Sequence, residues 1–222
     1  MRRQRTIVRA VFTRVWIAAL AIGLSACGGA STTSAVDGSE LPTSPEGGTG
    51  TAVTVVDADV ALFAERMAAV EEAVAAWRDA PTVEIAHEAA EAAANLIVGP
   101  NGPGYGDRSG DGVVGGQSAV GLLPGMDGTP AGIAIPLSAN RCVGRDVLGG
   151  TWADPGAEWG AMLTAIDEWR PDDNTMPTLA SHPMRVVGWA TFTLDSDSLD
   201  DAHEYAGHAK LHVDISLRAL SC

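Results

Sequence analysis

The chain has 222 residues, and 28 Asp and Glu against 14 Lys and Arg give it a formal net charge of −14 at pH 7. Such an acidic surface repels nucleic acid and anionic lipid head groups, which excludes nucleic-acid binding and disfavours a phosphate-binding groove. Cations, basic partners and neutral ligands remain as the classes of molecule that the protein can bind.

The N-terminus has the layout of a secretory signal peptide. Five arginines between positions 2 and 14 precede an apolar run at 15–24, which is too short to span a bilayer comfortably, and small residues follow it. The sequence therefore predicts a signal peptide over 1–26. Its removal takes the five arginines away, so the mature chain is more acidic still.

The residues "LSAC" at 24–27 resemble the lipobox of bacterial lipoproteins, in which the cysteine is lipidated and the chain is cut just before it. The resemblance implies a lipidated Cys27 and a protein held at the extracytoplasmic face of the cell membrane by its acyl chains, which contribute about 0.8 kcal/mol per buried methylene. The alternatives are an ordinary cleaved signal and an uncut N-terminal anchor.

Residues 28–52, which follow Cys27, are mostly Gly, Ser, Thr and Pro. We treat 27–52 as one segment, the lipidated cysteine and its linker. Such a segment buries too little apolar surface to offset its ordering entropy, which predicts a flexible linker. The remaining residues, 53–222, are enough for one domain with a real core.

Two helices are predicted at the start of this domain. Over 57–79 the large apolar residues recur every three or four positions, as in an amphipathic helix. They are Val60, Phe63, Met67, Val70, Val74 and Trp77. A second helix over 83–99 ends at Gly99 and Pro100, and the short link "DAPT" predicts an antiparallel hairpin.

A glycine-rich connection follows over 99–151, for which we predict a long ordered loop with one short helix near 118–123. The tryptophans are predicted to anchor the core, and Trp152 in the loop segment "GGTWADPG" is the candidate for an exposed exception that faces a partner.

Three further helices complete the predicted fold. Asp154 and Pro155 begin one that runs to 171, and Ser198 with Asp201 resembles a capping box that begins the last. The segment 176–195 suits a strand as well as a helix, and we favour a helix because a lone strand would have no partner. The prediction is an all-α domain, an antiparallel bundle of about four helices with a long glycine-rich crossover loop.

The crossover loop contains the pattern D-x-S-x-D-G, formed by Asp107, Ser109, Asp111 and Gly112. These are the first positions of a calcium loop, whose oxygens converge on the ion while the glycine permits a sharp turn. Position twelve is Ser118 instead of the usual glutamate, so we expect Asp127 to complete the shell of a hard cation. The alternative is a metal-free turn in which the aspartates cap backbone groups.

The histidines suggest a second and weaker metal hypothesis. His208 and His212 lie four residues apart on the last helix and therefore point the same way. With His87, or with Glu91 one turn after it, they can form a site for a transition metal such as zinc, copper or iron. The alternative is a set of buried histidines that are hydrogen-bonded to partners.

Cys142 and Cys222 form an even pair once Cys27 is set aside, and in an oxidising compartment a disulfide between them is expected. Reduced thiols or a metal or redox site are the alternatives, and no CxxC spacing supports the latter.

The segment 86–112, "AHEAAEAAANLIVGPNGPGYGDRSGDG", resembles one in uncharacterised secreted or lipid-anchored bacterial proteins, where a helix ending N-[LI]-[IV]-x-G runs into a YGD-x-[DS]-G-[DN]-G loop. The matching positions are Glu91, Asn95, Gly99, Tyr105, Asp107, Ser109, Asp111 and Gly112. In that group histidines flank the position of Glu91, where this chain has Ala89 and Ala92. The resemblance implies a helical extracytoplasmic domain and no known activity, and an analogy of fold alone extends to helical periplasmic metal-uptake lipoproteins.

Three functions are consistent with the sequence. The first is a lipid-anchored extracytoplasmic protein that binds a cation of the calcium type at the loop 107–118. The second is a structural module that contacts another envelope protein, and the third is an enzyme with a dispersed site, although no complete catalytic motif is present.

Overall fold

The computed structural model describes residues 55–170, 176 and 179–222, and within these the chain forms helices and loops with no strand. The predicted signal peptide, the predicted lipidation site Cys27 and the predicted linker lie outside the described residues. The α-helices are α1 Val55–Arg78, α2 Val83–Val98, α3 Pro155–Glu168, α4 His182–Leu194 and α5 Leu199–Arg218. The predicted all-α class is confirmed.

Four of the helices form the predicted antiparallel bundle. Helix α1 packs against α2 and α5, and α4 packs against the same two helices, which closes a ring around the core. Helix α3 lies outside this ring against α4. The crossover from α2 to α4 therefore runs from 99 to 181 and carries α3 within it.

The apolar periodicity of α1 and α5 produces the core. The predicted face of α1 is buried from Phe63 to Trp77, with Val60 partly buried at its edge. On α5 small residues and one valine, from Ala202 to Val213, form the buried stripe. Small side chains on this face allow the helices to approach closely, which suits a core filled by tryptophan and methionine side chains from the neighbouring elements.

Side-chain caps begin the helices where the sequence predicts them. Asp154 accepts the backbone N–H of Ala157 at the start of α3, and Ser198 accepts that of Asp201 at the start of α5. Each bond satisfies one of the backbone donors that a helix leaves free at its N-terminus.

The ambiguous segment 176–195 contains helix α4, as favoured from the sequence. Helix α4 is packed on several sides and therefore needs apolar side chains around most of its circumference. Its β-branched residues meet this need within a helix, so they are no sign of a strand. Gly188 is explained by packing, since an added Cβ would lie 2.5 Å from the Met176 sulfur.

Two predictions for the crossover are wrong. No helix forms at 118–123; the short helical turns lie at Ile135–Leu137 and Val143–Leu148 instead. Trp152 is buried, donates its indole N–H to the Leu148 carbonyl at 2.8 Å and packs edge-on against Trp159. Its neighbouring glycines suggested a surface turn, but the indole fills the space beside α3.

The disulfide between Cys142 and Cys222 is confirmed, with Cα atoms 6.1 Å apart. It ties the last residue of the chain to the middle of the crossover. Among the helices that the structure describes, none is long and apolar enough to cross a bilayer.

Candidate functional site

The crossover begins by covering the C-terminal end of α2. The backbone N–H groups of Leu122 and Leu123 bond to the carbonyls of Leu96 and Ile97, at 3.2 and 3.1 Å. Carbonyls in the last turn of a helix have no partner within it, so the loop satisfies groups that would otherwise be buried without one.

Arg66 of α1 strengthens the same junction. One guanidinium nitrogen donates to the Leu96 carbonyl at 2.9 Å and to the Val120 carbonyl at 2.6 Å. A cation beside the negative end of a helix is favourable, and here it also connects α1, α2 and the crossover. Burial lowers the pKa of this guanidinium from its usual value.

Glu91, on α2, binds the backbone of the glycine-rich part of the loop. Its side chain is only 1% exposed, and it accepts the backbone N–H groups of Arg108, Ser109 and Gly115 at 2.5, 2.7 and 2.8 Å. Hydrogen bonds to a carboxylate are strong, and three of them replace the water that this charge loses on burial. The oxygens of Glu91 are thus directed to the loop backbone, and Glu91 is not placed beside His208 or His212 as a shared metal ligand.

Asn95, one helical turn further along α2, completes the attachment. Its amide nitrogen donates to the carbonyls of Gly106 and Gly115, and its amide oxygen accepts the N–H of Gly106 at 3.1 Å. Glu91 and Asn95 together fix both ends of the segment 106–115. We call this segment, with its two attachments, the anchored loop.

The anchored loop carries the predicted ligands Asp107, Ser109 and Asp111. The Asp107 carboxylate accepts the backbone N–H groups of Gly110 and Gly112 at 2.7 and 2.9 Å, and the Ser109 hydroxyl lies 3.4 Å from one of its oxygens. Asp111 accepts the N–H of Val113 at 2.7 Å. Both aspartates are exposed and cap their own turn, in the manner of the metal-free alternative.

Asp127 is used in a separate turn. Its carboxylate accepts the N–H of Thr129 at 2.9 Å, and the Thr129 carbonyl in turn accepts the Asn101 amide. In the part of the chain that the structure describes, no hydrogen bond joins Asp127 to the anchored loop. The same part contains no set of three His, Cys, Asp or Glu side chains arranged to hold a metal ion.

The three predicted histidines have different partners, although His208 is near enough to His212 to act on it electrostatically. His87 bonds through Nε2 to the Ser196 carbonyl at 2.9 Å, and His208 stacks on Trp189 with ring centroids 4.5 Å apart. His212 instead meets His182, the first residue of α4, with 2.9 Å between the two Nδ1 atoms. His182 was missed because it lies thirty residues away, and the sequence contains no signal for a contact between two helices at that point.

The two paired histidines are half-buried, and this changes their titration. Burial, reinforced by His182 and Arg185, lowers the pKa of His212 to about 3. Burial also lowers the pKa of His182, with a further contribution from Arg185. Because one Nδ1 must donate a proton and the other must accept it, the contact requires that at least one ring is neutral.

Comparison of the chain with protein-family models, with curated proteins and with solved structures gives no match.

Proposed function

We propose that the protein is a lipid-anchored extracytoplasmic binding protein, and that the anchored loop binds a hard cation of the calcium type. The supporting observation is the attachment of this loop to Glu91, which holds a turn with exposed side-chain oxygens against a rigid helix. A preorganised set of ligands loses less entropy on binding than a free turn.

The bonds within the turn are compatible with a bound ion. Each carboxylate oxygen has more than one lone pair, so the Asp107 oxygens that accept Gly110 and Gly112 retain the capacity to coordinate a cation. The nearby Ser109 hydroxyl adds a neutral oxygen, and calcium accepts such mixtures of oxygen ligands together with water. The acidic balance of the chain favours the approach of cations.

Thermal unfolding with EDTA and with added calcium tests this proposal. Calcium bound only to the native state raises the free energy of unfolding, by about 2.7 kcal/mol at a free concentration 100 times the Kd. We expect a higher Tm in calcium for the native sequence and a much smaller rise for Asp111→Asn, which keeps an oxygen for the Val113 N–H but removes the charge.

Asp127→Asn is the matched control, because Asp127 also caps the N–H two residues ahead in an exposed turn. It should retain the calcium response, because no hydrogen bond joins Asp127 to the anchored loop in the part of the chain that the structure describes; loss of the response would support Asp127 as the ligand that completes the shell. Equal Tm values in EDTA and in millimolar calcium for the native sequence would exclude the cation.

Membrane attachment has its own test. Cys27→Ala should abolish incorporation of labelled fatty acid and move the protein from the membrane fraction to the soluble fraction, because the acyl chains supply the binding energy. Membrane association that persists without the cysteine would instead support the uncut N-terminal anchor.

A second function, contact with another envelope protein, is supported by one observation. Val113 follows the acidic turn and is 61% exposed, so the loop presents an apolar side chain to solvent directly beside two exposed carboxylates. In this case calcium would have no effect on Tm, whereas Val113→Ser would weaken the association with the partner.

A further inference from the structure

We propose that His182 and His212 form an exchangeable site for a late first-row divalent ion, of the class of zinc, nickel or copper. This inference is independent of the calcium proposal, because it rests on different residues and a different type of ligand. Imidazole nitrogen suits these metals, whereas calcium and magnesium require oxygen.

The two imidazole rings converge from different helices. They come from the start of α4 and from the fourth turn of α5, yet their Nδ1 atoms are 2.9 Å apart and the ring centroids 5.1 Å apart. At a metal–nitrogen distance of about 2.0–2.1 Å, two ligands of a tetrahedral ion are roughly 3.3 Å apart. A small opening of the pair is therefore enough for an ion to replace the shared proton.

Charged side chains of α4 and of the crossover surround the histidine pair. The Arg185 guanidinium is directed to the Leu179 carbonyl at 2.7 Å, and Arg145 forms a close ion pair with Asp146. Both guanidinium groups keep their charge in these contacts, whereas the Asp146 carboxylate acts on His182 in the opposite sense and is the neighbouring group that favours a bound cation. Half-burial of the two rings leaves a path for an ion and its water ligands.

The other three histidines have partners of their own and supply no further ligand to the pair. His87 and His203 bond to the carbonyls of Ser196 and Ala80, and His208 stacks on Trp189. With only two protein ligands, the remaining coordination positions belong to water. Structural zinc sites use four protein ligands, so this site is suited to reversible binding instead of folding.

Metal titration of the purified protein after EDTA treatment tests the site. Zn²⁺, Ni²⁺ and Cu²⁺ are added in competition with a chromophoric chelator, and one-to-one binding is expected for at least one ion. Loss of an outer-shell partner alone commonly costs 10–100-fold in affinity, so His182→Gln or His212→Gln should cost at least about 10-fold.

His87→Gln and His203→Gln are the matched controls, since each removes a partly buried histidine that bonds to a backbone carbonyl. Both should retain the affinity of the native sequence. The electron paramagnetic resonance spectrum of the Cu²⁺ complex should show hyperfine coupling to two imidazole nitrogens, reduced to one in either pair variant. A merely structural role for the histidines would not produce this change.

A second measurement applies if the pair variants fail to fold. Bound metal should protect His182 and His212 of the native sequence from acylation by diethyl pyrocarbonate, while His203 remains reactive. The proposal is overturned if none of the three ions binds, if both pair variants bind as tightly as the native sequence, or if neither ring is protected.

Discussion

At the scale of single residues, Glu91 illustrates how a buried charge is stabilised by backbone N–H groups. Three N–H groups from 108–115 surround a carboxylate in the middle of an alanine-rich helix. Substitution of this residue tests whether the anchored loop depends on that charge.

Glu91→Gln should lower the free energy of unfolding by about 3 kcal/mol, because the amide NH₂ would face a backbone donor and the charge-assisted bonds would be lost. Urea denaturation provides the measurement. Glu88→Gln is the control, since Glu88 is an exposed glutamate on the same helix and its change should be close to zero. Equal effects of the two substitutions would show that the anchored loop does not depend on Glu91.

The sequence indicates that Glu91 is buried, although it does not indicate which groups bond to it. Ala94 and Val98 follow it at three and seven residues and are buried, so Glu91 lies on an apolar face where a carboxylate needs bonding partners. The identity of those partners depends on how the chain returns to α2, which no local pattern encodes. The contact between His182 and His212 was unpredictable for the same reason.

At the scale of elements, the crossover lies so close to α2 that some positions accept only glycine. Gly116 has φ of +64°, and an added Cβ would lie 2.2 Å from the Ala92 carbonyl oxygen. A Cβ added to Gly207, on the exposed side of α5, would have no neighbour within 4 Å outside its own helix. The two glycines therefore give a matched pair of substitutions to alanine.

Gly116→Ala should destabilise the protein by at least about 2 kcal/mol, from backbone strain and from the clash with the backbone of α2. Gly207→Ala should stabilise it by roughly 0.5–1 kcal/mol, because alanine loses less entropy in a helix. Both values come from chemical denaturation. Substitutions with the same sign would indicate that the crossover is not in close contact with α2.

Helix positions were the most predictable elements, because periodicity and caps are local. The spacing over 57–79 and the caps at Asp154 and Ser198 identified α1, α3 and α5. The crossover was less predictable: the short apolar piece 118–123 forms no helix, and its Leu122 and Leu123 N–H groups bond to carbonyls at the end of α2 instead. In that case tertiary hydrogen bonds outweigh local propensity.

At the scale of the whole molecule, the disulfide constrains a large part of the chain. Cys142 and Cys222 are 80 residues apart in sequence, and cross-linking a loop of this length restricts the unfolded state by about 4 kcal/mol. Cys222→Ser should therefore lower the free energy of unfolding by about that amount, and it removes little packing because Cys222 is exposed.

Reduction of the native sequence provides the control for this prediction. A phosphine reductant should lower its Tm to near that of Cys222→Ser and should leave the Tm of the variant unchanged. If the native sequence melts at the same temperature after mass spectrometry shows two free thiols, the cross-link does not contribute to stability.

The attachment of 106–115 to Glu91 also determines where the chain tolerates change in length. Deleting or lengthening this stretch would leave the buried Glu91 carboxylate without its hydrogen-bond donors. Changes in the length of the loop therefore require a matching change at position 91 of α2. The exposed turn at Asp127 bonds only to its own N–H groups and to Asn101, and it supports no buried charge, so it is the better place for a tag, a fluorophore or a protease site.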